Sequence, residues 1–219
     1  MNKDTHRGQA VYSKQFLSIY DYFVLGFSST YIWDCHRNNI VDLFRSEITD
    51  DHLDVGVGTG FFLSESGIAN FKRIGLMDLN ENSLKEAEAN ISGTLINKYC
   101  LDILSDLEIK EEKKYSSISI NYLLHCLPGD VKTKAKVFDN LVPLLENDGV
   151  LFGGTIVGQG IKHPVKAKML MWLYNKFGVF TNSGDSLQGL QEVLSSRFSS
   201  VDIKVIGSVA MFCAKNKIN

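Results

Sequence analysis

The stretch Leu53-Asp54-Val55-Gly56-Val57-Gly58-Thr59-Gly60 decides the fold, because three alternate glycines directly follow a short apolar segment. Glycines at such a point let the backbone turn sharply and approach a ligand closely. The spacing is neither G-x-G-x-x-G nor G-x-x-x-x-G-K-[ST]. Phe61 stands where the dinucleotide pattern needs a small residue, and no lysine follows Gly60. The pattern is G-x-G-x-G, with an acidic residue two positions before the first glycine.

Strand-like and helical segments alternate after this loop. Hydrophobic patterning predicts strands over residues 52–57, 73–78, 97–101, 115–121 and 149–157. It predicts helices over residues 61–70, 80–91 with Asn80 as N-cap, 131–145, 163–178 and 187–198, and two leading helices over 12–24 and 40–48. Alternation of this kind favours an α/β fold with a mainly parallel sheet covered on both faces. Residues 201–206 and 209–214, separated by Gly207 and Ser208, predict a closing hairpin and an antiparallel last strand.

Composition and charge narrow the class of protein. The 219 residues are 44% hydrophobic and carry a formal net charge of −2, which indicates one globular domain and disfavours nucleic acid as a partner. The basic stretches 110–114 and 162–168 are interpreted as solvated faces. Cys35, Cys100, Cys126 and Cys213 form no C-x-x-C, so we predict reduced thiols and no metal site. No apolar run approaches about 18 residues, so we expect no membrane partner and a cytoplasmic location.

Further residues extend the pattern of the glycine loop. Asp78 ends the second strand, 18 residues after Gly60, and Asp102 follows the third strand. Two later segments complete the pattern, Asn121-Tyr122-Leu123-Leu124-His125-Cys126-Leu127-Pro128 and Leu144-Leu145-Glu146-Asn147-Asp148-Gly149-Val150-Leu151. Over residues 51–157 the chain resembles the class I S-adenosylmethionine-dependent methyltransferases, in their small-molecule, type 11/12-like branch. Asn147-Asp148-Gly149 replaces the proline-glycine-glycine that is usual in that family.

The resemblance implies a fold, a cofactor and a set of binding residues. The fold would be a single Rossmann-like, doubly wound, seven-stranded sheet, and the cofactor S-adenosyl-L-methionine, with S-adenosyl-L-homocysteine as product. Asp78 would accept hydrogen bonds from both ribose hydroxyls, and Asp102 would receive the adenine amino group beside Ile103. The full implied set is Asp54, Gly56, Val57, Gly58, Thr59, Gly60, Asp78, Leu79, Asp102, Ile103 and Asn121. Tyr20 and Trp33 join it from residues 12–33, which we call the leading aromatic segment.

The same resemblance divides the single domain, 1–219, into four parts. Residues 1–50 would form an N-terminal helical cap and residues 51–157 the cofactor-binding core. Residues 158–183 would form an insertion or lid, and residues 184–219 the last helix and the hairpin. The leading aromatic segment and the Met- and aromatic-rich residues 169–180 would cover the cleft and make its pocket apolar. Their alternative use is ordinary core packing or contact between two copies of the chain.

Methyl transfer from a sulfonium needs alignment and exclusion of water more than it needs a metal ion. An acceptor hydroxyl, thiol or ring nitrogen must also lose a proton, so a titratable side chain beside the methyl group is useful. His125, four residues beyond Asn121, is the candidate catalytic residue. It would take the acceptor's proton or orient its nucleophile, and the alternative is that it only packs.

The sequence predicts an enzyme that methylates a small, hydrophobic or aromatic metabolite at O, N, S or C. The chain lacks the Pro-Pro-aromatic motif of base-modifying enzymes and the Pro-Cys pair of cytosine C5 enzymes. One alternative is a cofactor-binding protein that has lost transfer activity. The other is a protein or RNA methyltransferase.

Overall fold

A seven-stranded sheet forms the centre of the protein. The computed structural model describes residues 28–67, 71–91, 95–107, 109 and 113–218. The strands within these ranges are β1 Asp51–Val55, β2 Arg73–Asp78, β3 Leu95–Cys100, β4 Tyr115–Asn121, β5 Leu145–Ile156, β6 Phe198–Ile206 and β7 Val209–Lys217. Their order is β3-β2-β1-β4-β5-β7-β6. Strands β1 to β5 are parallel, and β7 runs antiparallel to both β5 and β6. The predicted doubly wound sheet with an antiparallel last strand is confirmed.

Helices cover both faces of this sheet. They are α1 Asn38–Glu47, α2 Phe61–Ser64, α3 Glu81–Ala89, α4 Ala135–Leu141, α5 Val165–Lys176 and α6 Leu187–Ser195, with a single turn, Ser29–Tyr31, before α1. One apolar cluster joins the sheet to α4 and α6 through residues such as Phe138 and Leu190. The other joins it to α1, α2, α3 and α5 through residues such as Phe44, Leu84 and Met171. The two clusters leave the carboxyl edge of the parallel strands between the helical layers.

Several predicted boundaries agree with the structure. Strands β2 and β4 have the predicted bounds, and the side chain of Asn80 caps α3 by accepting from the Asn82 N–H at 2.9 Å. Strand β1 ends at Val55 rather than at residue 57, because the glycine turn starts there. Helix α2 ends at Ser64 rather than at residue 70.

The connection between α4 and β5 differs from the prediction. Helix α4 begins at residue 135 instead of 131, and a 3₁₀ turn, Val142–Leu144, follows it. Strand β5 begins at Leu145 rather than at residue 149. Tyr115 pairs with Leu145 and Ser117 pairs with Val150, so residues 146–149 bulge out of the ladder. Asn147-Asp148-Gly149, which replaces the proline-glycine-glycine of the family that the sequence resembles, therefore forms a bulge inside a strand, whereas patterning alone places the start of the strand at residue 149.

Other elements differ from the prediction by a few residues at their ends, and β3, for example, spans Leu95–Cys100 rather than residues 97–101. The predicted leading helix at residues 12–24 lies outside the described residues. Helix α5 begins at residue 165 instead of 163, immediately after Pro164, and α6 ends at residue 195 instead of 198. The hairpin turn lies at Gly207 and Ser208 as predicted, and the Ser208 N–H donates to the Trp33 carbonyl at 2.8 Å. That bond holds the segment before α1 at the carboxyl edge of the sheet.

Candidate functional site

The glycine turn after β1 has three residues in the left-handed region. Gly56, Gly58 and Gly60 have φ values of +73°, +55° and +77°, which only glycine adopts without a steric cost. A Cβ at Gly60 would lie 2.9 Å from Ala87 Cα in α3, so this glycine lets α3 pack closely. A Cβ at Gly58 would meet no atom within 4 Å. The backbone of Gly58 therefore borders open space at the carboxyl edge, as a ligand cradle requires.

Two carboxylates flank this turn. Asp78 at the end of β2 accepts from the Gly58 N–H at 3.2 Å through Oδ2 and from the Asn80 N–H at 2.8 Å through Oδ1. Burial raises its pKa. Asp54 lies in β1 and is buried, and Ser119 Oγ donates to its Oδ1. Asp78 stabilises the loop backbone through these hydrogen bonds, and Asp54 places a second carboxyl group in the strand that leads into the turn, which suits a cationic ligand.

Asp54 belongs to a buried hydrogen-bonded chain that crosses from β1 to β4. Ser119 gives its proton to Asp54, so its oxygen accepts from His52 Nε2, 3.0 Å away. His52 Nδ1 then accepts from the Ser117 hydroxyl at 2.7 Å. Burial lowers the pKa of His52 to about 3, so the ring is neutral. Burial, with a smaller contribution from Asp78, raises the pKa of Asp54 to about 7, although the hydrogen bond from Ser119 opposes that rise.

Asp102, Ile103 and Leu79 lie at the same edge of the sheet, directly after β3 and β2. Asp102 is buried two residues beyond β3, and its Oδ1 accepts from the Leu104 N–H at 3.0 Å. Asn140 of α4 donates to the Ile103 carbonyl at 2.7 Å, which holds this loop on the sheet. Leu79 follows β2 and is half-buried. The acidic residues predicted from the sequence thus stand near the carboxyl ends of their strands, with Asp54 next to the last residue of β1, Asp78 at the end of β2 and Asp102 just after β3. Open α/β sheets bind ligands at this edge.

The other two residues of the turn are buried. Val57 is 6% exposed and Thr59 is 7% exposed. The Thr59 carbonyl accepts from Asn90 Nδ2 at 3.0 Å, which ties the turn to the end of α3.

Asn121 ends β4 with a buried side chain whose polar atoms are unsatisfied. Neither Oδ1 nor Nδ2 has a hydrogen-bond partner among the residues that the structure describes. Leaving such a group unpaired costs about 1–3 kcal/mol, and native proteins accept that cost where the group meets a ligand or a water. Asn121 therefore fits a cofactor that presents both a donor and an acceptor.

Aromatic rings pack against one another beyond β4. Phe62 of α2 stacks on Tyr122, with ring centroids 6.2 Å apart. Tyr122, which has a positive φ of 52°, lies 6.0 Å from His125, and His125 lies 4.4 Å from Phe180. A non-glycine residue in this region is strained, and such strain is concentrated at functional sites. The rings form a continuous apolar wall from the glycine turn to the segment after α5.

His125 is buried within that wall, and its hydrogen bonds fix its tautomer. The Ile156 N–H donates to Nδ1 at 3.3 Å, and Thr155 Oγ1 lies 3.3 Å from the same nitrogen. A nitrogen that accepts a backbone N–H carries no proton, so the neutral ring carries its proton on Nε2. Burial, with a smaller contribution from the charge of Lys134, lowers the pKa of His125 to about 3.

A buried ion pair holds the segment that carries Phe180. Lys134 Nζ donates to Asp185 Oδ2 at 2.6 Å and to the Thr181 carbonyl at 3.1 Å. The Thr181 N–H in turn donates to the His125 carbonyl at 2.9 Å. Removing one partner of such a pair leaves an uncompensated buried charge, so both are needed. The pair therefore fixes Phe180 against His125.

The structure brings together most, but not all, of the predicted residues. Trp33 is buried and packs on Phe180, with centroids 5.8 Å apart, so it borders the ring wall. Tyr20 lies outside the described residues.

Sequence reasoning missed His52, Ser117 and Ser119, which support Asp54. The sequence does contain a sign of this network, because His52 and Asp54 in one strand, and Ser117 and Ser119 in another, are polar residues two positions apart in segments that patterning predicts to be buried.

The residues at this edge fit S-adenosylmethionine, because they offer a backbone cradle at Gly58, acidic side chains for a cationic ligand and the unpaired amide of Asn121. No protein-family model matches the chain. The chain is 35% identical over 211 residues to the physcion biosynthesis cluster O-methyltransferase of Aspergillus chevalieri, a match that covers 96% of this chain and 95% of that protein. The chain belongs to the class I S-adenosylmethionine-dependent methyltransferases, in their small-molecule branch.

Other proteins agree with this assignment. The enzyme is 31% identical over 209 residues to demethylluteothin O-methyltransferase of Streptomyces thioluteus, a match that covers 94% of this chain and 90% of that protein. Its fold is similar to that of the N-methyltransferase NodS of Bradyrhizobium japonicum WM9, solved with S-adenosyl-L-homocysteine. The TM-score is 0.60 at 13% identity, with 82% of this chain and 87% of that chain covered. The enzyme uses S-adenosyl-L-methionine as its methyl donor.

The described residues offer neither a membrane-spanning helix nor a cluster of metal ligands. No helix there combines the length and the apolar character that crossing a bilayer requires. No three histidine, cysteine, aspartate or glutamate side chains in those ranges are grouped so that they could hold a metal ion.

Replacing Gly58 with alanine tests the cradle. Gly58→Ala and Gly178→Ala both add a Cβ at a positive φ, +55° and +70°, in open space. We expect each variant to lose about 1–2 kcal/mol of unfolding free energy in urea denaturation. Only Gly58→Ala should lose affinity for S-adenosyl-L-homocysteine, by about tenfold or more in calorimetric titration, because only this Cβ enters the ligand's space. Equal affinities for the two variants would contradict the cradle.

The raised pKa of Asp54 predicts a pH-dependent stability. Between about pH 4 and pH 7 the folded state binds the Asp54 proton more tightly than the unfolded state, so this group lowers stability as pH rises through that window. In the ligand-free protein, Asp54→Asn removes the effect and should be more stable than wild type above pH 7, by an amount on the order of a few kcal/mol. The difference should shrink toward pH 4. A difference in urea midpoint that does not change with pH would contradict the raised pKa.

Proposed function

We propose that the enzyme transfers a methyl group to a hydroxyl oxygen of a small apolar or aromatic molecule. The observation that carries this proposal is the ring wall that runs from Phe62 through Tyr122 and His125 to Phe180. Aromatic walls bury flat apolar ligands and leave few groups to bind a charged one. The two relatives named above are O-methyltransferases, which supports oxygen as the acceptor atom.

Within this proposal the chain's own residues hold the cofactor. The turn 56–60 supplies backbone contacts, Asp78 binds the ribose hydroxyls, and Asp102 with Ile103 binds the adenine. Asn121 pairs its amide with the methionine part of the ligand or the reacting groups beside it. Bound S-adenosylmethionine supplies a methyl group activated by its sulfonium sulfur. The protein then has to align the acceptor oxygen with that methyl group and exclude water.

His125 serves in this proposal as a hydrogen-bond donor to the acceptor oxygen. A general base would need an unprotonated Nε2, which would place the ring proton on Nδ1, facing the Ile156 N–H. Its lowered pKa also makes the ring a weak proton acceptor near neutral pH. The neutral ring can instead donate from Nε2 and orient the oxygen. The acceptor's proton then leaves to solvent, which suits an acidic phenol or enol.

We also propose a division of the domain and a cellular location for the enzyme. We retain the division into a cap of residues 1–50, a core of 51–157, a lid of 158–183 and a C-terminal part of 184–219. The buried side of α5, with Met171 at 7% exposure, faces the protein as a lid segment would. All four cysteines are free thiols, which supports a reducing compartment such as the cytoplasm.

An acceptor panel tests the proposed reaction. We expect S-adenosyl-L-homocysteine to form with phenolic or enolic polycyclic acceptors, and mass spectrometry to locate the new methyl group on oxygen. Amine analogues of the same ring systems, a basic peptide and an RNA oligonucleotide serve as the comparison set. Faster transfer to nitrogen or to a macromolecule would contradict the proposal. Cofactor binding without transfer to any member would favour the alternative of a binding protein.

Substitution of His125 separates orientation from proton removal. We expect His125→Gln to keep turnover within about tenfold of wild type at saturating cofactor, because glutamine retains a donor, and to leave the pH profile unchanged. The exposed His36, replaced by glutamine, is the matched control. Loss of about a hundredfold or more, together with the disappearance of an ionisation from the pH profile, would identify His125 as a general base.

A further inference from the structure

Helix α5 presents a row of large apolar side chains to solvent. Val165, Met169, Trp172 and Phe177 are 84%, 69%, 62% and 71% exposed, and Leu173 is 38% exposed. Positions 165, 169 and 172 are separated by four and three residues, so they lie on one side of the helix, and Phe177 directly follows the last helical residue, Lys176. Ala167 and Met171 occupy the opposite side and are buried. We call the exposed residues 165, 169, 172, 173 and 177 the outer face of α5.

This outer face cannot belong to the ring wall. The wall is reached from the buried side of α5, where Tyr174 contacts Phe180 with ring centroids 4.9 Å apart. The outer face points away from the protein body, so covering the acceptor does not explain it. Other exposed apolar side chains, such as Leu95 and Val205, occur one at a time on the outer strands. A contiguous exposed apolar patch marks an interaction site.

Positive charge surrounds the outer face. Lys162, Lys166, Lys168 and Lys176 are exposed, and residues 158–184 include no aspartate or glutamate, although the whole chain carries a net charge of −2. Lys176 Nζ lies 5.1 Å from the Trp172 ring centroid, so one of these charges sits on the apolar row itself. Lys166 pairs with Asp34 at 2.7 Å. Lys162, Lys168 and Lys176 form no ion pair within the described part of the chain.

We propose that the outer face of α5 binds the surface of a membrane that contains anionic lipids. Apolar side chains with tryptophan and phenylalanine enter the boundary between headgroups and acyl chains, and flanking lysines extend their charges to the headgroups. Helix α5 lies flat on the surface in this arrangement. The expectation of no membrane partner rested on the lack of a long apolar run. That lack argues against a spanning segment, but an interfacial helix needs no such run.

Charge distinguishes a lipid surface from two other occupants. Residues 1–27 contain three basic and two acidic side chains, so this segment carries a net charge of +1 and brings no net negative charge to the lysines. A second copy of the chain would place its own four lysines against the first set. An anionic lipid surface supplies both an apolar layer and a complementary charge. It therefore satisfies both features of the face.

Vesicle binding by the full-length protein tests the proposal. We expect co-sedimentation with vesicles of phosphatidylcholine mixed with phosphatidylglycerol, weak binding to phosphatidylcholine alone, and loss of binding in high salt. Lys162→Gln and Lys168→Gln should weaken binding about fivefold each. Met169→Ser combined with Trp172→Ser should abolish it. The matched control, Leu95→Ser combined with Val205→Ser, removes exposed apolar side chains elsewhere and should bind as wild type does.

Tryptophan fluorescence identifies the occupant. Trp33 is buried and Trp172 exposed, so a blue shift on adding vesicles should come from Trp172 and should vanish in Trp172→Phe. Before vesicles are added, acrylamide should quench Trp172 freely. Several results would overturn the proposal: no binding to anionic vesicles, binding unaffected by the α5 variants, or binding to an acidic peptide but not to vesicles. Protection of Trp172 from acrylamide without vesicles would also overturn it. If dilution does not change that protection, residues 1–27 cover the outer face of α5. If dilution removes the protection, a second copy of the chain covers it.

Discussion

The left-handed backbone of the glycine turn is the constraint on which the rest of the site depends. Its N–H groups bind the last two residues of β2, since Gly56 donates to the Met77 carbonyl and Gly58 donates to the Asp78 carboxylate. The missing side chain at Gly60 lets α3 come close enough to touch the turn. Asp78 therefore lies beside the turn because the turn holds it there. The arrangement of Asp78 and α3 at the carboxyl edge of the sheet follows from these backbone conformations.

The buried polar residues that support the turn lower the stability of the protein, and the proposed cofactor site explains why they are present. Asp54 and His52 are buried, and burial disfavours the charged form of each. The serines of β4 partly offset that cost by hydrogen bonding. An apolar pair at these positions would give a more stable sheet but would remove the negative charge beside the turn. The unpaired amide of Asn121 is a second case of stability given up at the same edge.

The sequence predicted the parts of the fold that local chemistry determines. Strands β2 and β4 were predicted with their observed bounds, because polar residues or turns border both apolar runs. The acidic residues at or near the carboxyl ends of β1, β2 and β3 were also predicted, since parallel strands bring their carboxyl ends to one edge. The bulge in β5 could not be predicted, because it depends on which residues of β4 pair with it. The tautomer of His125 likewise depends on the Ile156 N–H, which is remote in sequence. The outer face of α5 could not be identified from the sequence, because that requires knowing which side of the helix is buried.

The most direct test of the account is a crystal structure of the enzyme with S-adenosyl-L-homocysteine. The account predicts the ligand along the turn 56–60, with a carboxylate oxygen of Asp78 within hydrogen-bonding distance of the ribose hydroxyls and the Asn121 amide paired. It also predicts the product sulfur facing the ring wall at His125. A ligand bound elsewhere, or bound here with Asp78 turned away from the ribose, would contradict the assignment of this edge as the methyl-transfer site.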